Sequence, residues 1–394
     1  MKIIRNIEGR SHLTASQVRA RARVVMLTSR SATAVSPAFF SARAGRPPAR
    51  RVAMASSATS SPAPTIRLSS GTDMPLVGLG TWQAPRGVVG AAVADALRLG
   101  YRHIDCAAAY ANETEVGAAL REAFANGTAT RDGVFVTSKL WNDRRRPEDV
   151  RDACAQTLED LRLEYVDLYL IHWPVCWKRG TLMQDDERAS IAECWRAMEG
   201  LVRDGKARAI GVSNFSEPEL AALLSACSIA PAVNQIELHP RLPQKELVSY
   251  CQSRNIAVTA YSPLARGSGV LDHPAMGEIA ARRGVSAAQA ALRWNVERNV
   301  AVIPKSVTPS RIAANADVFA FEWDERDSKA VARVEDGVST ATSPWSTSGP
   351  IGARNRWIKP VIQLLLWPVF LVARVDVQKM GRKGFLSWAW SAKK

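Results

Sequence analysis

The 394-residue sequence has no Cys-x-x-Cys pair. Its six cysteines (106, 154, 176, 194, 227, 251) and five histidines fall at no spacing that closes a metal shell. No structural zinc and a reducing compartment are therefore expected. Acids are nearly missing from the two ends. Residues 1–62 hold eleven Lys/Arg and one acid, Glu8, while residues 341–394 hold nine and one, Asp376. Once the +10 and +8 of these ends are taken from the total of +15, residues 63–340 carry −3. The basic pI is thus a property of the tails, and a globular part without a basic face argues against nucleic-acid binding. A dinucleotide fingerprint is lacking too. Gly78-Leu79-Gly80 starts like G-x-G-x-x-G, but Gln stands at 83, followed by Ala84-Pro85, so it is no Rossmann fingerprint.

Residues 1–62 are rich in Arg, Ser and Ala and have no apolar run of secretory type, which reads as an organelle transit segment. Val52-Ala53-Met54-Ala55 suits plastid processing, so chloroplast is the expected location. The Arg-dense opening equally suits a mitochondrion, and a start at Met54 leaves the protein in the cytoplasm. Residues 341–394 form a second tail, apolar and basic. Trp357 to Val375 is strongly apolar but broken by Pro360 and Pro368, and five of the twelve tryptophans lie beyond residue 340. Its least interrupted stretch, Val361 to Ala373, rises only ~20 Å as a helix against ~30 Å of hydrocarbon. Peripheral contact through 357–375, with Trp at headgroup depth and Lys/Arg facing anionic lipid, is expected over spanning.

Between the tails, residues 63–340 alternate short β-branched runs with amphipathic stretches, the pattern of β/α units on a parallel sheet. Strands are expected at 76–79, 102–105, 134–139, 166–172, 207–213, 232–236, 257–261 and 300–303. Helical patterns lie at 87–99, 113–125, 148–161, 191–204, 218–226, 245–254, 286–298 and 310–318. Eight of each predicts an α/β protein, a (β/α)8 TIM barrel, whose chemistry belongs at the C-terminal ends of the strands. Those ends are polar almost throughout: Asp105, Lys139, His172, Ser213 with Asn214, Gln235, Tyr261, and Lys305 with Ser306.

A tyrosine, a lysine, an aspartate and a histidine (Tyr110, Lys139, Asp105, His172) thus converge without a metal. A free phenol has a pKa near 10, and a nearby ammonium lowers it by favouring the phenolate. An aspartate paired with that ammonium keeps it charged and in place. Such a phenol can protonate an alkoxide forming from a carbonyl, and an imidazole can polarise the same oxygen. His103 and His239 read as packed structural residues.

Over residues 64–335 the chain resembles the aldo-keto reductase family. The resemblance is carried by Val77-Gly78-Leu79-Gly80-Thr81-Trp82, Tyr101-Arg102-His103-Ile104-Asp105 with Tyr110, Ser138-Lys139-Leu140-Trp141 and Leu170-Ile171-His172-Trp173-Pro174. It continues through Gly211 to Phe215, Asn234 to Pro240, Tyr261-Ser262-Pro263-Leu264 and Ile303-Pro304-Lys305-Ser306. It implies reduction of aldehydes or ketones, with Tyr110 as general acid, Lys139 and Asp105 tuning it, and His172 orienting the substrate. Histidine at 172 argues against the steroid double-bond reductases of the family, which carry Glu there.

The same resemblance implies that Ser213, Asn214 and Gln235 hold a nicotinamide carboxamide and that Tyr261 stacks on its ring, with Ser262, Leu264 and Asn315 also lining the cofactor. Lys305, Ser306, Thr308 and Arg311 match the positions that hold an adenosine 2′-phosphate, which favours NADPH over NADH. Two departures stand out: Ala314 where Glu is common, and Arg266 where a small residue of the belt over the cofactor is common. Trp82, Trp141 and Trp173 are expected to wall an aromatic pocket for an apolar carbonyl substrate. The loop from Cys176 to Glu187 lies where the family sets substrate choice. A monomeric enzyme is expected; the competing expectation is a nicotinamide-binding regulatory subunit on a membrane protein, drawn from the apolar tail. The import reading predicts that sequencing of the native protein finds an N-terminus between about residues 52 and 62. An intact Met1 in the mature protein would refute it.

Overall fold

The computed structural model describes residues 64–181 and 184–340. The transit segment and the tail expected at 341–394, including 357–375, lie outside the described residues. The described chain builds β1 (Thr65–Arg67), β2 (Asp73–Pro75), β3 (Leu79–Gly80), α1 (Val89–Arg98), β4 (His103–Asp105), α2 (Glu113–Ala125), β5 (Phe135–Leu140), α3 (Pro147–Leu161) and β6 (Val166–Ile171). It continues with α4 (Ile191–Arg203), β7 (Ala207–Ser213), α5 (Glu217–Leu224), β8 (Val233–Glu237), α6 (Lys245–Gln252), β9 (Ala257–Tyr261), α7 (Pro274–Arg283), α8 (Ala287–Glu297), β10 (Val300–Val302), α9 (Pro309–Ala316) and α10 (Glu325–Ala332).

β3 to β10 form one eight-stranded sheet, each strand parallel to the next in chain order. Every residue of β5 and β6 is buried. Runs such as Phe-Val-Thr-Ser-Lys-Leu and Val-Asp-Leu-Tyr-Leu-Ile do not alternate because both of their faces are covered, one by helices and the other by the barrel interior. The first and last strands meet through parallel bridges Val77↔Val302 and Gly80↔Lys305. The Gly80 N–H donates to Pro304 O at 3.1 Å, and a Cβ on Gly80 would lie 2.6 Å from Ile303 O, so only glycine lets the two strands close this tightly. The expected first strand at 76–79 is shifted: its ladder is Leu79–Gly80, with Val77 held by a single bridge.

Helices lie outside. Pro147 opens α3, and the capping box of Ser286 and Gln289 opens α8, with Gln289 N–H donating to Ser286 Oγ at 3.2 Å. The β1–β2 hairpin plugs the N-terminal end of the barrel: Ile66, Leu68 and Met74 pack against Phe135, Leu168, Leu170 and Ala301. The hairpin, α7 and α10 were not expected from the periodicity. For α7 the available signals were Pro274 at its start and Gly284, in the left-handed region at φ 67°, at its end. At the same barrel end, buried Asp167 accepts from the Val136 N–H and from Arg131, each at 2.9 Å. Arg131 and Arg208 also flank the ring of Tyr165 at 3.9 and 4.1 Å from its centroid. Charge at the bottom is therefore consumed in stabilising the fold, and the polar strand ends at the opposite rim are left for chemistry.

Candidate active site

Asp105 ends β4, and the chain then turns through a short 3₁₀ helix, Ala108–Tyr110, which brings the Tyr110 phenol back over the rim. Lys139, on β5, points inward with no exposed surface. Its ammonium donates to Asp105 Oδ1 at 2.6 Å, to Cys106 O at 2.9 Å and to Tyr110 Oη at 3.1 Å. The other Asp105 oxygen accepts from Gln235 Nε2 at 2.8 Å. A buried ion pair survives only when its remaining hydrogen-bonding capacity is met, and here Cys106 O, Tyr110 Oη and Gln235 Nε2 meet it. His172, just past β6, sets its ring edge-on to Tyr110 at 5.8 Å and to Trp141 at 4.9 Å between centroids.

The acidity of the phenol departs from the expectation. Burial pushes Tyr110 well above the usual tyrosine range, and the charges of Asp105, Cys106 and Glu113 push the same way. The phenol therefore holds its proton at neutral pH. Such a group still protonates an alkoxide, which is a far stronger base than a phenolate.

Ser213, Asn214, Gln235 and Tyr261 are joined in one network. Ser213 Oγ donates to Gln235 O at 2.8 Å, Asn214 Nδ2 to His172 O at 3.0 Å, and Tyr261 Oη to Asn214 Oδ1 at 2.8 Å. Asn214 reaches both neighbours from the left-handed region, φ 65°. Burial pushes the Tyr261 phenol up, with the charge of Glu237 adding to it. Lys305 and Ser306 follow β10, Thr308 caps α9, and Arg311 and Asn315 lie on that helix. The Thr308 N–H donates to Ser306 Oγ at 3.1 Å. Neither Lys305 nor Arg311 forms an ion pair with a described residue, and desolvation holds the Lys305 ammonium below its usual range. Two uncompensated cations beside a helix N-terminus suit a phosphate dianion. Ser262 and Leu264 begin the loop after β9, in which Arg266, at φ 53°, lays its guanidinium 4.5 Å from the centroid of the Trp82 ring.

The three expected pocket tryptophans separate. Trp82 is half-buried beneath Arg266, and Trp141 is half-buried against His172. Trp173 is 8% exposed and packs with Val175 and Trp177. Trp177, from the Cys176–Glu187 loop, meets Trp141 edge-on at 5.6 Å; no spacing in the sequence marked it. Sequence reasoning also missed Glu113, buried at 4%, with Ser138 Oγ donating to it at 2.5 Å. Of the histidines read as structural, His103 contacts Pro75 O at 3.1 Å and Thr137 Oγ1 at 3.2 Å, and His239 contacts Glu237 Oε1 at 3.3 Å. Among the described residues no group of His, Cys, Asp and Glu could hold a metal ion.

One further cluster flanks the rim. Glu237, the last residue of β8 and the register partner of Tyr261, gathers the end of the described chain. The Thr340 N–H donates to it at 2.8 Å and Thr340 Oγ1 at 2.5 Å, joined by the Ser339 hydroxyl.

The model of the Aldo/keto reductase family matches residues 76–336. The chain is 48% identical over 287 residues to aldo-keto reductase family 1 member A1-A of Danio rerio, covering 68% of this chain and 88% of that one. With the Homo sapiens family 1 member A1 it shares 46% over 284 residues, 67% of this chain and 87% of that one. Among solved structures, the aldose reductase of Schistosoma japonicum is similar at 42% identity and a TM-score of 0.68, covering 71% of this chain and 94% of that one. An aldo-keto reductase of Bombyx mori in complex with NADP is similar at 38% and 0.67, over 71% and 95%.

Although burial opposes it, hydrogen bonds from His239, Ser339 and Thr340 hold the Glu237 carboxyl down to about 2. A carboxyl lowered on folding contributes stability that is complete above its unfolded value of 4.5 and lost as pH falls towards about 2. Urea unfolding should therefore show Glu237→Gln losing up to ~3 kcal/mol less than wild type across that window. Parallel stability curves for the two proteins would show that the clasp is not ionic.

Proposed function

The chain belongs to the aldo/keto reductase family and is an NADP-dependent oxidoreductase acting on carbonyl groups; from that premise we propose that Tyr110 donates the proton as an aldehyde or ketone becomes an alcohol. The observation that carries the assignment is the unbroken chain Asp105–Lys139–Tyr110 at the barrel rim. It also leaves the regulatory-subunit reading with no observation in its favour.

The residues present fit the cofactor. Lys305 and Arg311, with the Ser306 and Thr308 hydroxyls at the start of α9, supply two cations and a helix N-terminus for the phosphate that distinguishes NADPH from NADH. Ser213, Asn214 and Gln235 offer amide and hydroxyl partners for the carboxamide, with Tyr261 as the stacking face. Ser262, Leu264 and Asn315 complete the lining, and Ala314 offers the adenine no acidic partner. When bound, NADPH supplies the hydride from nicotinamide C4.

As the carbonyl carbon is reduced, negative charge gathers on its oxygen. Tyr110 gives up its proton to that oxygen, and the phenolate left behind lies against the Lys139 ammonium. Asp105 keeps that ammonium in place and is itself held by Gln235. His172, wedged between the Tyr110 and Trp141 rings, is positioned to hydrogen-bond the same oxygen and polarise the carbonyl. Trp82 and Trp141, with Trp177 behind, form an aromatic surround that admits an apolar carbonyl and keeps water out.

Residues 1–62 support import into the chloroplast, and the apolar, basic 357–375 segment supports peripheral contact with anionic lipid. Among the described residues no helix is long and apolar enough to cross a membrane. Tyr110→Phe should lower kcat by roughly 10²–10⁴ while NADPH binding is retained, followed as cofactor oxidation against an aldehyde panel. Turnover that survives the substitution would remove Tyr110 from its role. Deleting residues 355–394 should move the protein from the membrane to the soluble fraction, where it sediments as a monomer; equal partitioning of the full and shortened chains would end the lipid reading.

A further inference from the structure

Arg266 takes no part in the steps above, although it stands between the two ends of the cofactor site. It is exposed in the loop after β9, and its guanidinium lies 4.5 Å from the centroid of the Trp82 ring, just past β3. In the closed barrel β10 pairs with β9 on one side and meets the first strand on the other, through Val77↔Val302 and Gly80↔Lys305. A side chain that reaches from the β9 loop to Trp82 therefore crosses the C-terminal end of β10. No described carboxylate forms an ion pair with it. Its backbone is unusual as well: Ser262, Ala265 and Arg266 lie in the left-handed region at φ 47°, 49° and 53°. Residues other than glycine hold that conformation where their surroundings fix it. Here Ala265 is buried and its N–H donates to Ser262 O at 2.8 Å, while Arg241 Nη1 donates to Ser268 O at 3.0 Å on the far side. With the backbone pinned before and after Arg266, its side chain is aimed across β10.

We propose, resting on the reading of NADPH as cofactor, that Arg266 is a binding residue for the pyrophosphate of the dinucleotide, stacked on Trp82 until the ligand enters and then transferred from the ring to the phosphates. The polar ends of β7 to β9 mark the nicotinamide end, and Lys305 with Arg311 marks the 2′-phosphate end. The pyrophosphate joins those two halves and must pass the end of β10, where the Arg266 side chain crosses. Lys305 and Arg311 are engaged by the 2′-phosphate, so the charge of the pyrophosphate calls for a further cation. A guanidinium over an indole that water can reach is a weak contact, whereas its planar fork meets paired phosphate oxygens with charge-assisted bonds. Exchange of the ring for the phosphates is therefore downhill, and it needs movement of one side chain while the loop stays in place. The charge of Arg266 also acts on the Tyr261 phenol, against the larger effect of burial, which sets the guanidinium near the nicotinamide side of the crossing.

Calorimetric titration of the full chain with three ligands separates the contacts: 2′-AMP carries the 2′-phosphate, ADP-ribose the pyrophosphate, and 2′-phospho-ADP-ribose both. Arg266→Ala should raise the dissociation constants of ADP-ribose and 2′-phospho-ADP-ribose roughly tenfold to a hundredfold and leave that of 2′-AMP unchanged. Arg266→Gln, polar but uncharged, should lose as much, and Arg266→Lys, charged but without the fork, should lose less. Lys305→Ala should weaken 2′-AMP and 2′-phospho-ADP-ribose and spare ADP-ribose. A 2′-phosphate held elsewhere would show in that variant alone, apart from the result for Arg266. The tryptophan emission that Trp82→Phe removes should change when ADP-ribose binds the wild type and stay constant in Arg266→Ala. ADP-ribose bound equally by wild type and Arg266→Ala, or all three ligands weakened by one factor, would overturn the proposal and leave Arg266 as a brace for Trp82.

Discussion

The buried contact between Lys139 and Asp105 is the constraint on which the rest of this site depends. An ammonium with no exposed surface is tolerable only beside a carboxylate, and that carboxylate in turn needs a donor for its second oxygen. Gln235 supplies it from the far side of the barrel, 130 residues along the chain. Three strands are thereby fixed in register at their C-terminal ends, and Tyr110 rests on the third proton of the ammonium. A helix bundle or an open sheet offers no comparable enclosure; the closed ring of parallel strands brings these side chains to one point from several directions.

Burial and the carboxylate beside the ammonium set the electrostatics at the rim. Burial is the largest influence on the phenol, raising it above the usual tyrosine range, and the phenol stays protonated. Lys139, 3.1 Å from the phenol oxygen, is placed to stabilise the phenolate after the proton leaves. The cations at the start of α9 are left uncompensated by described residues, at some cost to the isolated fold, and so remain available to an anionic ligand. The phosphate end and the reacting end of the site are thus set by opposite electrostatic choices, one satisfied internally and the other left open.

Loops complete what the strands begin. Arg266 reaches from the loop after β9 to Trp82 after β3, spanning the end of β10, and does so from a left-handed conformation that an arginine rarely adopts. Trp177 comes from the loop after β6 to the face of Trp141. Glu237 draws Ser339 and Thr340 to the rim beside Tyr261. Each of these contacts joins segments far apart in sequence. Side-chain patterning is local, and nothing in the spacing of Arg266, Trp177 or Thr340 announces a partner.

Eight alternating elements, the polar ends of the strands and the four residues at the rim were legible from residue order alone. Periodicity reports which face of a strand or helix is buried, and the C-terminal end of a barrel strand is a position in sequence as much as in space. The location of positive charge in the tails, and hence the improbability of a nucleic-acid partner, was legible for the same reason. Only the folded chain decided that burial raises the Tyr110 phenol, that Trp173 packs with Val175 and Trp177, and that Gln235 holds the second oxygen of Asp105. Those outcomes depend on desolvation and on distances between residues remote in sequence, and both exist only once the barrel has closed.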